Sequence, residues 1–181
     1  MSRCITVFCA SSNEVPQVYH DAARRLGDAI GRNGWTLVYG GGSFGLMGVV
    51  SHAACAAGGA VVGIIPKKLV EIEKANEHCT ELIVVDDMRA RKALLESRCD
   101  AFITLPGGIG TFEEFFEMLV GRYLGFHDKP MILVNTNGFF DPLIALFSHG
   151  IEQGFINPRA RELIFVADAP EQAIAQLGRD K

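Results

Sequence analysis

The sequence has no C-x-x-C pair and an odd number of cysteines: Cys4, Cys9, Cys55, Cys79 and Cys99 in 181 residues. Neither a disulfide framework nor a zinc cluster follows from that pattern; small buried thiols in a reducing compartment do. No apolar run reaches the ~18 residues of a membrane span. No basic segment and cleavage site precede the strand-like sequence that begins at Arg3, so the expected location is cytoplasmic, without a membrane partner. Positive charge is not in excess. The 17 lysines and arginines are outnumbered by 21 aspartates and glutamates, and a formal net charge of −4 is the wrong sign for a nucleic-acid binder. No G-K-[ST] is present, which argues against a Walker-type ATPase, and no G-x-S-x-G elbow supports a serine hydrolase. None of the five histidines has a second histidine or a carboxylate at the spacing of a metal motif, so no metal is expected.

What the chain does have is the balance of a globular protein, 49% apolar and 21% charged residues. Its length suits one domain spanning residues 1–181. Apolar runs of strand length alternate with longer helical stretches. Strands are expected at residues 4–10, 35–39, 60–65, 81–85, 101–105 and 131–134, with a short one near Ile164. Helices are expected at 16–33, 45–57, 88–98 and 111–124, and two or three more towards the end. Continuous apolar strands separated by helices imply a mainly parallel sheet covered on both faces, an α/β Rossmann-like three-layer fold. Residues 66–80 form the longest polar stretch and read as a surface loop. In such folds ligands bind beyond the carboxyl ends of the strands.

Three segments fall there. Residues 40–48 (GGGSFGLMG) follow a strand and open a helix, and Gly40, Gly42 and Gly45 fit G-x-G-x-x-G. Glycine lets the backbone approach a phosphate, so Gly42 and Ser43 are candidate ligand contacts; a tight turn with close helix packing is the plainer alternative. The next strand ends without the acidic residue that a dinucleotide ribose requires. Residues 106–114 (PGGIGTFEE) again join strand to helix. Gly107, Gly108 and Gly110 can present successive N–H groups to an anion, and Thr111 adds a hydroxyl. Glu113 and Glu114 are then expected in the first helical turn, where T-x-x-E also matches a capping box from Thr111 to Glu114. Residues 88–92 (MRARK) open a third helix and offer Arg91 and Lys92 to an anionic substrate, with Arg98 expected on the face of Arg91.

Taken in order, these three motifs resemble the LONELY GUY (LOG) family of cytokinin riboside 5′-monophosphate phosphoribohydrolases. The family's P-G-G-x-G-T-x-x-E stands at 106–114, its M-x-x-R-K at 88–92 and its G-G-G-x-x-G-L-M-G at 40–48. The similarity continues through LGFHDKP at 124–130 and GFI at 154–156, and so covers nearly the whole chain. One position departs from the plant-like form: Arg89 stands where histidine follows the methionine. The resemblance implies hydrolysis of the N-glycosidic bond of AMP, or of N6-substituted AMP, to free base and ribose 5-phosphate. It implies a catalytic pair at Arg91 and Glu114. Substrate contacts would come from Met88, Lys92, Gly107, Gly108, Gly110, Thr111 and Glu113. It implies no cofactor, and a homodimer with the site near the subunit interface. Some members carry an older lysine decarboxylase label, but nothing here suggests a pyridoxal phosphate site. Two other functions compete: a non-catalytic nucleotide or cofactor carrier of the same fold, which needs neither Arg91 nor Glu114, and an NAD-dependent oxidoreductase.

Overall fold

The computed structural model describes residues 2–179. Seven strands, β1 (Cys4–Phe8), β2 (Thr36–Tyr39), β3 (Ala60–Pro66), β4 (Glu81–Val85), β5 (Ala101–Thr104), β6 (Met131–Val134) and β7 (Ile164–Ala167), form one sheet in the order β4-β3-β2-β1-β5-β6-β7. Every adjacent pair is parallel. The helices are α1 (Gln17–Arg32), α2 (Gly45–Ala56), α3 (Met88–Ser97), α4 (Ile109–Leu124), α5 (Asp141–Glu152), α6 (Pro158–Glu162) and α7 (Pro170–Arg179).

The strand period of two divides the core between two faces. Ile5, Val7, Leu37, Tyr39, Ile103, Ile132 and Val134 pack with Leu26 and Ile30 of α1, Val50 of α2 and Leu177 of α7. Their neighbours Phe8, Val38, Phe102, Met131 and Leu133 pack on the opposite side with Leu95 of α3, Phe115, Met118 and Leu119 of α4, and Phe147 of α5. On the first face α1 and α2 pack backbone to backbone. A Cβ on Gly27 would stand 2.4 Å from the Val50 carbonyl oxygen, and one on Gly31 2.5 Å from that of Ala54.

The chain winds outward from β1 through β4, then returns to β5 on the other side of β1. That reversal opens a crevice at the carboxyl ends of β1 and β5, the point where open α/β sheets hold ligands. α3 and α4 both start on that edge. Asp87 caps α3, its Oδ1 accepting from the Ala90 N–H at 2.9 Å. Asp87→Ala is expected to cost about 1 kcal/mol and to lower the melting temperature by roughly 2–4 °C, measurable by calorimetry.

Two sequence expectations are corrected at α4. The helix begins at Ile109, not Thr111, with Gly108 as its N-cap and no side-chain capping bond. Thr111 is therefore the third residue of the helix, no acid lies in its first turn, and no Thr111–Glu114 capping box exists. Arg98 likewise does not accompany Arg91. It caps the far end of α3 and pairs with Glu81 at 2.8 Å.

Candidate active site

A cleft of about 270 Å³ occupies the crevice. Val7 to Cys9 at the end of β1, Gly40 after β2, Met88 and Arg91 of α3, and Gly108 to Thr111, Glu113 and Glu114 of α4 line it. Ser11, Met47, Leu69 and Glu73 complete the wall. The structure thus brings together Met88, Arg91, Gly108, Gly110, Thr111, Glu113 and Glu114. Gly107 lies directly beneath Thr111, where a Cβ would stand 2.1 Å from the threonine Oγ1; it faces a neighbouring apolar cavity bounded by Tyr19 and Phe139.

Arg91 and Glu114 form the centre. Both are nearly buried, and Arg91 Nη2 lies 3.4 Å from Glu114 Oε1. Arg91 Nη1 also contacts the Met88 sulfur at 3.7 Å. Gly40 makes room for the guanidinium, since a Cβ there would stand 2.2 Å from Nη2. Arg91 Nε has no hydrogen-bond partner among the described residues. An under-satisfied guanidinium beside a nearly buried carboxylate is costly to a fold and valuable to a ligand. Burial pushes the Glu114 carboxyl up to about 7; Arg91 opposes the rise, and Glu113 and Glu73 add to it. The Cys9 thiol is also driven upward by burial, then by Glu114.

Lys92 sits differently from a free phosphate ligand. Its ammonium is shared between Glu113 Oε1, at 2.5 Å, and Glu117 Oε2, tying α3 to α4. These two hydrogen bonds hold its pKa above the ordinary lysine value. The donors that remain open are main-chain ones. The N–H groups of Ile109, Gly110 and Thr111 precede the first intrahelical bond, made by Phe112 to Gly108, and no acceptor among the described residues meets them. A Cβ on Gly108 or Gly110 would touch nothing within 4 Å, so the approach to these donors is clear.

The other glycine-rich turn is wired in the opposite way. At the start of α2 the Gly45 N–H donates to Asn13 Oδ1 at 2.7 Å, and those of Leu46 and Met47 donate to the Ala10 carbonyl. Gly42 is covered by Met47 and Glu73, and Ser43 lines a separate, larger groove between α1 and α2. The structure therefore does not bring Gly42 or Ser43 into the cleft wall. Among the described residues no three histidine, cysteine or carboxylate side chains converge as a metal site would require.

Sequence reasoning missed Glu73, which lies in the polar stretch between β3 and β4. Burial raises its pKa, Arg91 opposes the rise, and its Oε2 is enclosed without a partner among the described residues. Its segment has no periodicity or glycine pattern, and no local signal marks it.

The profile of a family described as possible lysine decarboxylase matches residues 47–177. The chain is 45% identical over 175 residues to a probable cytokinin riboside 5′-monophosphate phosphoribohydrolase of Oryza sativa subsp. japonica, covering 97% of this chain and 72% of that one. It is 45% identical to the cytokinin riboside 5′-monophosphate phosphoribohydrolases of Rhodococcoides fascians, over 97% of this chain and 89% of the relative, and of Mycobacterium tuberculosis, over 94% and 90%. In fold it is similar to the molybdenum cofactor binding protein of Rippkaea orientalis, with a TM-score of 0.77 at 24% identity over 99% of this chain and 97% of that one. It is also similar to the molybdenum cofactor carrier protein of Chlamydomonas reinhardtii, with a TM-score of 0.75 at 23% identity over 99% and 98%. The chain belongs to the LONELY GUY family, the group that also bears the lysine decarboxylase description.

Proposed function

We propose that this protein is a nucleoside 5′-monophosphate phosphoribohydrolase acting on AMP and N6-substituted AMP, with Arg91 and Glu114 as its catalytic pair. The observation that carries this reading is the buried, incompletely satisfied Arg91–Glu114 pair beside an uncapped helix start. The 45% identity to phosphoribohydrolases over nearly the whole chain supports the same reaction. A non-catalytic carrier needs neither Arg91 nor Glu114, and this chain brings both together in the cleft.

The 5′-phosphate takes the open N–H groups of Ile109, Gly110 and Thr111, where the helix dipole favours an anion. That places the ribose over the second turn of α4. As the C1′–N bond breaks, positive charge develops on the sugar. The ionised Glu114 carboxylate stabilises that charge and takes a proton from the attacking water. Water oxygen bonds to C1′, the bonding pair leaves with the base, and the base gains a proton. Arg91 fixes Glu114 and keeps part of its population ionised despite burial. Lys92 holds Glu113 at the cleft edge, and Met88 and Met47 give the base an apolar lining.

The test is incubation with AMP and, separately, N6-isopentenyl-AMP, followed by chromatography of the free base. Release from either establishes the activity, and the ratio of rates ranks the substrates. No release from either overturns it.

The active form is a homodimer. Ile109, Phe116, Val120 and Leu124 form an outward stripe on α4, with Ile109 89%, Val120 52% and Leu124 60% exposed. Such a contiguous apolar stripe is normally covered, and a second copy of the chain covers it. The stripe starts at the cleft, so the interface reaches the site. Val120→Glu is expected to shift sedimentation from dimer to monomer; a wild type that sediments as a monomer at micromolar concentration overturns the assembly. No helix among the described residues is long and apolar enough to cross a membrane.

A further inference from the structure

Glu73 reaches the cleft on a segment that belongs to neither sheet nor long helix. Residues 67–79 open with a short 3-10 turn, Lys67–Leu69, and Lys74 adopts a left-handed φ of +48°. What holds this strap in place is the turn after β2. The Ser43 N–H is shared by the carbonyls of Glu73 and Lys74, at 3.1 and 3.0 Å, and Gly42 and Ala75 form an isolated antiparallel bridge. A Cβ on Gly42 would stand 3.2 Å from the Glu73 Cβ. The glycine turn is thus the seat on which the strap rests.

One side chain fastens it. The Asn76 N–H donates to the Gly41 carbonyl at 2.8 Å. Its Nδ2 donates to Tyr39 Oη at 3.0 Å and to Ser51 Oγ at 3.2 Å, and its Oδ1 accepts from the His78 N–H at 3.0 Å. Tyr39 and Ser51 are fully buried in β2 and α2. Both amide hydrogens are therefore spent on rigid partners, three residues from a carboxylate whose Oε2 has no hydrogen-bond partner among the described residues. We propose that Asn76 is a positioning residue of the phosphoribohydrolase, latching the strap to the glycine turn so that Glu73 stays against the Arg91–Glu114 pair. This rests on the reaction proposed above. Asn76 touches no substrate and acts only through Glu73.

The test is a double-mutant cycle on AMP turnover with Asn76→Ala, Glu73→Gln and the pair. Misplacing a cleft group by about 1 Å costs roughly a hundredfold, so Asn76→Ala is expected to lower kcat/KM by roughly ten- to a hundredfold at a pH well above the acid limb, where Glu114 is ionised in every variant, and Glu73→Gln, which removes the group that Asn76 positions, by a similar factor. The double variant is expected to fall no further than the worse single. A second readout separates positioning from general weakening. Glu114 is faced by Arg91 and Lys92 of α3, Glu113 of α4, Glu73 of the strap and Cys9 after β1. Loss of the Glu73 charge moves the acid limb of the pH profile to lower pH, and Asn76→Ala is expected to move it the same way. Should Asn76→Ala fail to fold, Tyr39→Phe removes one latch acceptor within an intact core, and the same non-additivity is expected. Losses that multiply, with an unmoved acid limb, overturn the latch while leaving the enzyme assignment standing. Wild-type protein that releases no base overturns the reaction itself.

Discussion

Glu114→Gln is expected to lower kcat on AMP by about a thousandfold or more, because it removes both the proton acceptor and the charge that faces the developing cation. Glutamine has nearly the shape of glutamate, so circular dichroism and thermal melting are expected to show an intact fold. Wild-type kcat/KM is expected to rise through a pH near 7, since the ionised carboxylate is the active form and burial sets its pKa there. About a tenth of the carboxylate is ionised one unit below that value. The same burial has a stability signature. The folded pKa, about 7, lies above the ordinary 4.5, so the folded state binds the proton more tightly. That stabilisation is present in full below 4.5 and is lost as pH rises through 7, by about 3 kcal/mol in the wild type. The slope is expected to disappear in Glu114→Gln. A folded glutamine variant that keeps more than a tenth of wild-type turnover would remove Glu114 from the mechanism.

Arg91→Ala is expected to be nearly as damaging at neutral pH, about a hundred- to a thousandfold, but for a different reason. Arg91 opposes the rise in the Glu114 pKa, so its removal drives that pKa further up. The acid limb is expected to move above 7, and part of the lost activity is expected to return as pH is raised towards 9. An arginine that acted only on the departing base would leave the limb where it is. A pH profile of kcat/KM for the two proteins therefore distinguishes the roles. Arg91→Lys is not expected to restore the wild-type profile, because lysine lacks the planar fork that Gly40 accommodates.

Much of this arrangement was legible in the residues. The strands at 81–85 and 131–134 are read to their ends because polar or turn-forming sequence bounds each apolar run. The Arg91–Glu114 pairing followed from the resemblance, and the sheet explains it: α3 and α4 start on one edge, beside β4 and β5. The start of α4 was misread because Thr111 and Glu114 carry a strong local capping signal, while Ile109 and Gly110 carry a weak helical one. The two glycine-rich turns look alike in sequence and behave oppositely in space. Which N–H groups stay open depends on whether a distant segment, here Ala10 and Asn13, supplies an acceptor. Glu73 was invisible for the same reason. Its place depends on pairing with Gly42 and Ser43, some thirty residues earlier in the chain, and spacing along the sequence holds no record of that contact.

The missing cap on α4 has a consequence for the order of events after bond cleavage. A helix whose first turn lacks a side-chain acceptor gains one when the 5′-phosphate arrives. Of the two products, only ribose 5-phosphate keeps that group. With the phosphate placed as proposed, the base is expected to depart first and the sugar phosphate to stay until the helix start is re-solvated. Ribose 5-phosphate, and at higher concentration inorganic phosphate, should then compete with AMP, whereas free adenine should inhibit only weakly.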